Sequence, residues 1–324
     1  MKILITGASG YIGSKLCHLL CQREDVEAVY AFDNLYYDQG HLTFPVHKLS
    51  DKTFFFNEDV LDFSPNLEDC IRQADVIVPL AAIVGAPACD QIPVYSTAIN
   101  YEWYEKLLSK DLSDKLVIYP NTNSGYGSTG DELCTEETPS NPISLYAKLK
   151  QDTEDLLLRE LPKQSICFRL ATVFGWSFRP RLDLLVNNLT YRSLFDQELS
   201  IFDPHYRRNY IHVDDICSAF VFAIENKDRM VGEVFNLGND VINMTKGDLA
   251  WAISQLVGVQ FSIDHDRTDP DKRDYEVSSQ KLYDLGFVPK CDLVYGVTEM
   301  IEFYKSLPIY KEPREKLTAN MFNY

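Results

Sequence analysis

The sequence is short of positive charge. Its 31 lysines and arginines are outnumbered by 48 aspartates and glutamates, leaving a net charge of −17. A summed field of that sign repels nucleic acid and anionic membranes, so neither is expected as a partner. A small anionic substrate is still compatible, because a local arginine cluster can override the global field. Paired cysteine motifs are also missing: the 8 cysteines are scattered, with no CxxC among them. Cys17 and Cys21 lie four apart on one helical face, the spacing of a core stripe rather than a metal site. No metal is expected, and reduced thiols fit a cytoplasmic protein. No apolar run approaches membrane length. The stretch "MKILITGASG" runs straight into a strand and a glycine loop rather than a secretory leader. Low-complexity tracts, internal repeats and long flexible linkers are lacking too.

What is present is globular. The 324 residues, 45% hydrophobic and 24% charged, suffice for one large α/β domain or two modest ones. The first half alternates apolar runs with helical patterns. "KILIT", "AVYAF", "TFFFNEDV", "DVIVPLAA", "KLVIYPN" and "SICFRLA" read as strands, and "YIGSKLCHLLCQ" as a helix. Such alternation implies βαβ units and a Rossmann-type, doubly wound parallel sheet. Near-continuous apolar runs suit strands buried on both faces. After about Thr172 the rhythm changes. Residues 176–210 carry Arg179, Arg181, Arg192, Arg207 and Arg208 and no lysine. "SAFVFAIEN" then reads as a helix, "EVFNLG" as a strand, and the remainder as short helices and loops. A smaller mixed α/β lobe from the later part of the chain is expected.

"TGASGYIGS" sets Gly7, Gly10 and Gly13 three apart between a strand and a helix. Glycine allows the tight turn and lets backbone approach a pyrophosphate, which the helix N-terminus then receives. The GxxGxxG spacing alone is also what a plain glycine-rich turn would show. Asp33 in "AFDNL" follows about twenty residues later, where a carboxylate can accept from an adenosine ribose. An acid there repels a ribose phosphate, so NAD is expected rather than NADP; a solvated turn acid is the bland alternative. Further on, Tyr146 and Lys150 in "ISLYAKLKQDTEDLLL" share one helical face. A Tyr-x-x-x-Lys pair is expected about once by chance in such a chain. Its weight comes from order: glycine loop, ribose acid, the polar strand end "NTNSGYG", then the Tyr/Lys helix.

That order resembles the extended short-chain dehydrogenase/reductase family of nucleotide-sugar epimerases and dehydratases, over nearly the whole chain. "RNYIHVDDI" and "RDYEVSSQKLYDLGFVP" resemble the family's later segments. The resemblance implies an NAD-binding domain from 1–172 and 208–240 and a nucleotide-sugar lobe from 173–207 and 241–324. It implies Tyr146 as the base on a sugar hydroxyl, Lys150 as its electrostatic support and ribose contact, and Thr122 as a hydroxyl partner. It implies cofactor contacts from Gly7, Ser9, Gly10, Tyr11, Ile12, Gly13, Asp33, Asn34, Asp59, Val60, Leu80, Ala81, Ala82 and Asn100, besides Tyr146 and Lys150. Arg208 and Arg273 match positions that bind the diphosphate, with Asn123, Ser124, Thr172, Arg181 and Asn187 as further substrate contacts. Thr172 stands where the family usually has Asn. Cys89 and Cys134 are read as packing thiols and His212 as structural. Helices near 94–109 and 143–160 would either pair in a homodimer, as in many relatives, or turn their apolar faces into the chain's own interior.

The residues after Thr122 bear on the reaction. Related 4,6-dehydratases place acids there; here they are Asn123 and Ser124, neither a competent acid or base near neutrality. Ketose-type epimerase/reductases have a cysteine in place of Ser124. Both substitutions point to oxidation at C4, with or without return of the hydride. "YPNTNSGYG", "RLATVFGWS", "RLDLLVNNLTYR", "RRNYIHVDD" and "DPDKRDYEVSS" resemble GDP-heptose 4-dehydrogenases most, in which 2-oxoglutarate can reoxidise the cofactor. A C4 epimerase is the alternative. A non-catalytic dinucleotide-binding relative would be expected to lose the Tyr/Lys pair, which this chain keeps.

Overall fold

The computed structural model describes residues 1–37, 46, 49–130, 132–197, 199–266 and 274–306. The apolar runs form the strands β1 (Lys2–Thr6), β2 (Ala28–Phe32), β3 (Thr53–Phe56), β4 (Val76–Pro79), β5 (Leu116–Thr122), β6 (Ser165–Leu170) and β7 (Glu233–Leu237). They pair in parallel in the order β7-β6-β5-β4-β1-β2-β3. The chain reverses direction across the sheet between β1 and β4, and a crevice opens there at the strands' carboxyl ends.

Side chains alternate between two cores because the strand period is two. Ile3 and Ile5 of β1 join Leu16, Leu20, Phe168 and Phe220, under the helices Tyr11–Cys21 and Val213–Glu225. Leu4 points the other way, into a cluster with Tyr30, Ile71, Trp103, Tyr119 and Leu157. That cluster lies under Pro65–Gln73, Trp103–Leu108 and Leu145–Glu160. The strand expected over "TFFFNEDV" stops at Phe56. Asp59 instead caps a short turn, its side chain accepting the Leu61 N–H at 2.9 Å, the local bond by which Asp competes with a ladder.

A third core gathers Phe174, Leu182, Val186, Tyr210, Leu249, Ile253, Val297 and Met300. It lies beside a three-stranded sheet in which Arg207–His212 runs parallel to Thr172–Phe174 and antiparallel to Asn239–Thr245. No helix among the described residues is long and apolar enough to cross a membrane.

Candidate active site

A cleft of about 330 Å³ opens at the carboxyl ends of β1 to β6. That is large enough for a ligand to be held between the two cores and the second lobe. Its floor is the glycine loop. Gly7 has φ +67°, and a Cβ there would lie 2.6 Å from the Ala81 nitrogen; a Cβ on Gly13 would lie 2.2 Å from the Gly7 carbonyl oxygen. Only glycine lets β1, the loop and the helix come this close. The helix begins at Tyr11 after Gly10, and no side chain caps its first turn. Its leading amides therefore suit an anionic ligand, which is the fit a dinucleotide pyrophosphate requires.

Asp33 follows β2 at the lip of this floor. One of its oxygens accepts the Ser9 N–H at 2.9 Å and the other accepts the Leu35 N–H at 2.8 Å. Each oxygen retains acceptor capacity for a ribose hydroxyl. Burial pushes the carboxyl above its ordinary value, against the pull of these two amides. Beyond it, Asn34 and the Tyr95 hydroxyl both donate to Asp59 at 2.9 Å. Tyr36 stacks on Tyr95, their ring centroids 5.6 Å apart. Val60, Leu80, Ala81 and Ala82 complete the apolar wall. The sequence pointed to Asn34 and Asp59 but missed Tyr36, Tyr37 and Tyr95.

On another side of the cleft, β5 ends at Thr122, and Asn121, Thr122 and Ser124 line the wall there. Thr122 Oγ1 donates to Ser124 Oγ at 3.0 Å and accepts the Ser124 N–H at 3.2 Å. Tyr146 and Lys150 approach from the helix Leu145–Glu160, begun by Ser144, whose side chain accepts the Ala147 N–H. All four line the same cleft. Lys150 is buried, with its Nζ 4.2 Å from the centre of the Tyr119 ring. Burial pulls its ammonium down to about 7, with Cys167, Cys89 and Glu154 resisting.

Under this strand end lies a polar network that the sequence reading passed over. Arg169 on β6 donates to Glu154 at 2.7 Å, and Asn121 on β5 donates to the same carboxylate at 2.6 Å. Arg169 also reaches the Tyr126 hydroxyl at 2.9 Å, and Tyr126 donates to Asn236 at 2.7 Å. The available signal was spacing: Glu154 stands one helical turn after Lys150.

Several expected contacts are not on the cleft. Asn100 spends its amide on Ile83, accepting the N–H at 3.1 Å and donating to the carbonyl at 2.9 Å; it shapes the wall without lining it. Asn123 is turned inward and buried, with neither polar side-chain atom partnered. Asn187 donates to the Tyr11 hydroxyl at 3.2 Å and accepts the Gly175 N–H at 3.1 Å, so its amide is engaged within the protein and does not line the cleft. Arg208 donates to the Arg207 carbonyl at 2.9 Å and lies over the Tyr275 ring, off the cleft wall. Arg273 lies outside the described residues. Thr172 and Arg181 do line the cleft, but Arg181 is paired with Asp183. Cys89 and Cys134 are buried, and burial raises both thiols, as packing residues require. His212 accepts the Asp214 N–H at Nδ1 and meets Glu299 at 2.5 Å through Nε2, a structural arrangement.

The chain is similar to the uncharacterized UDP-glucose epimerase YtcB of Bacillus subtilis, 30% identical with 95% of this chain and 99% of the relative covered. It is 28% identical to the low-salt glycan biosynthesis protein Agl12 of Haloferax volcanii, covering 94% of this chain and 98% of the other. Among solved structures, UDP-glucuronic acid 4-epimerase from Bacillus cereus, in complex with UDP-glucuronic acid and NAD, matches with a TM-score of 0.82. There the identity is 26%, over 94% of this chain and 99% of that one. The model of the NAD dependent epimerase/dehydratase family matches residues 3–238. That range takes in every residue lining the cleft, so the protein belongs to the NAD dependent epimerase/dehydratase family and is an enzyme whose cofactor is NAD.

Proposed function

We propose that the protein oxidises C4 of a nucleotide-activated sugar without eliminating water. One observation carries this reading: the cleft's acids are on the wrong side for elimination. Asp33, Glu58 and Asp59 line it beyond β2 and β3, whereas Thr122 and Ser124 present hydroxyls beside Tyr146 and Lys150. Hydroxyls orient a substrate but do not deliver or remove protons efficiently near neutrality.

In this reading Tyr146 takes the proton of the C4 hydroxyl. An ordinary tyrosine, with a pKa near 10, is a poor base at neutral pH. Lys150 offsets this from within the same helical face, and a phenolate would in turn favour its charged form. Thr122 and Ser124, already bonded to each other, hold the substrate oxygen in place. NAD, when bound, supplies the electron-pair acceptor for the carbinol carbon.

The finer reading is a GDP-heptose 4-dehydrogenase in which 2-oxoglutarate takes up the electrons and leaves as 2-hydroxyglutarate. It is supported by the resemblance of the segments around Thr122, Arg181 and Arg208. A second reading, C4 epimerisation, is favoured by the UDP-sugar epimerases among the relatives. Purified protein incubated with GDP-manno-heptose, with and without 2-oxoglutarate, separates the two. A 4-keto product accumulating only with the acceptor supports the dehydrogenase. A C4 epimer formed without it makes the protein an epimerase. No reaction with the GDP-sugar, but turnover of UDP-glucose or UDP-glucuronic acid, would sink the GDP-heptose assignment.

A further inference from the structure

Tyr119 stands on β5 before Thr122, in the core under the helix Leu145–Glu160, and is fully buried. Two contacts join it to Lys150. Its hydroxyl donates to the Lys150 carbonyl oxygen at 3.2 Å, and the Lys150 Nζ lies 4.2 Å from the centre of its ring. The first ties the strand to the helix at the very residue whose side chain reaches the cleft. The second sets a cation over the negative face of an aromatic ring, an attraction that grows when water is excluded.

The ring is held in place from behind. Tyr104 meets it edge to face, with centroids 5.2 Å apart and planes at 85°. Trp103 meets Tyr104 in the same way, at 4.9 Å and 87°. Aromatic pairs favour this crossed arrangement. Tyr104 donates its hydroxyl to the Pro79 carbonyl at 3.3 Å, and Trp103 donates its Nε1–H to the Val60 carbonyl at 3.0 Å. Val60 and Lys150 both line the cleft, so a buried aromatic column runs from one of its walls to the other.

A buried ammonium needs compensation. The titratable groups around Lys150 supply little of it near neutral pH. Cys167 on β6 and Cys89 on the helix Ala86–Gln91 are thiols that burial raises, so they carry no charge there. Glu154, one turn along the same helix, is paired with Arg169. Burial pushes the Tyr119 phenol well above its ordinary value, so it remains a neutral donor. Tyr146 lies within electrostatic reach of Tyr119 and Tyr104 and turns negative only when it acts as a base. The face of the Tyr119 ring is present throughout.

We infer that Tyr119 is a positioning residue for Lys150: its ring face keeps the ammonium charged for Tyr146, and its hydroxyl fixes the helical turn that carries it. The inference rests on the reading in which Lys150 supports a Tyr146 phenolate.

The test is a pair of titrations of the purified protein with NAD present. Lys150 is followed by the carbon NMR signal of its Cε in lysine-labelled protein, assigned by its loss in K150M. Tyr146 is followed by the ultraviolet absorbance of its phenolate, as the difference from Y146F. Position 119 is varied at nearly constant shape, first Tyr119→Phe, then mono-, di- and trifluorinated phenylalanine, which drain the ring face of charge stepwise. Y119F keeps the face and is expected to leave the Lys150 midpoint close to that of wild type. The fluorinated series is expected to lower it progressively, by about one pH unit in total, and to raise the Tyr146 midpoint in the same order. A Lys150 midpoint that ignored the fluorine count would overturn the inference, because packing alone does not follow ring charge. So would a Lys150 midpoint that moved while that of Tyr146 stayed, since the charge would then not reach the base. A Tyr146 midpoint unchanged in K150M would overturn the reading of the pair itself, and the inference with it.

Discussion

Lys150 is a residue of the cleft that is costly to the fold. Its ammonium is buried over the Tyr119 ring, and burial drops it from 10.5 to about 7. Between these values the unfolded chain binds a proton that the folded chain does not, so stability rises with pH across that window. The full cost, up to about 5 kcal/mol before relaxation, is present below the folded value and fades as pH approaches 10.5. Replacing the lysine by methionine removes the desolvated charge and keeps the bulk. K150M, stripped of nucleotide, is therefore expected to unfold at a higher temperature than wild type at pH 7, with the gap closing toward pH 10. A gap independent of pH would mean that Lys150 is not the group that titrates. The same variant is expected to lose activity. Tyr146→Phe is the companion test: turnover should fall by roughly 10²–10⁴, the usual share of a general base, while nucleotide-sugar binding persists. Normal turnover in Y146F would remove Tyr146 from the mechanism.

At the scale of elements, the end of β5 is held by its neighbours rather than by its own sequence. Asn121 on β5, Glu154 on the helix Leu145–Glu160 and Arg169 on β6 meet in one buried ion pair with hydrogen bonds. This places Thr122 and the Tyr146–Lys150 helix in register. Removing Arg169 leaves Glu154 buried and uncompensated, so R169M is expected to cost about 3–5 kcal/mol in denaturant unfolding. The double variant R169M/E154L should recover a large part of that loss, because an apolar pair avoids the desolvation of both charges. Equal destabilisation in the single and double variants would show that packing, not charge, matters there. This network also marks the limit of what the sequence reveals. β1 to β7 were legible because each is an apolar run with punctuation around it, and Tyr146 and Lys150 because their spacing is helical. Gly7, Asp33 and Thr122 were legible because a local turn or strand end sets their place. The partners of Asn187 and Arg208 were not legible, for the opposite reason. Whether a polar side chain faces a ligand or a neighbouring loop depends on partners far away in sequence, as Asn187 depends on Tyr11.

At the scale of the whole molecule, the far field and the site oppose each other. The chain carries a net charge of −17, while a nucleotide sugar is itself an anion. Several cations of the cleft and the elements around it are matched: Arg181 on the cleft by Asp183, and beyond the lining Lys15 by Asp214 and Arg207 by Asp274 at 3.3 Å and Glu276 at 3.8 Å. A matched pair attracts only at short range, whereas the summed negative charge acts over a Debye length of about 30 Å at 0.01 M salt and about 8 Å at 0.15 M. At low salt the substrate should therefore be repelled before it reaches the guanidinium groups that would hold it. Adding salt screens the long-range term first and leaves the desolvated contacts inside the cleft nearly intact. The expected outcome is that kcat/KM for the nucleotide sugar rises by roughly a few-fold between these two salt concentrations. This is the reverse of the behaviour of an enzyme that steers its anionic substrate with a basic rim. Initial rates at sub-saturating substrate over a series of sodium chloride concentrations measure it directly. A steady fall instead would mean that the arginines at the cleft project a field beyond the molecular surface, and that their carboxylate partners do not cancel it.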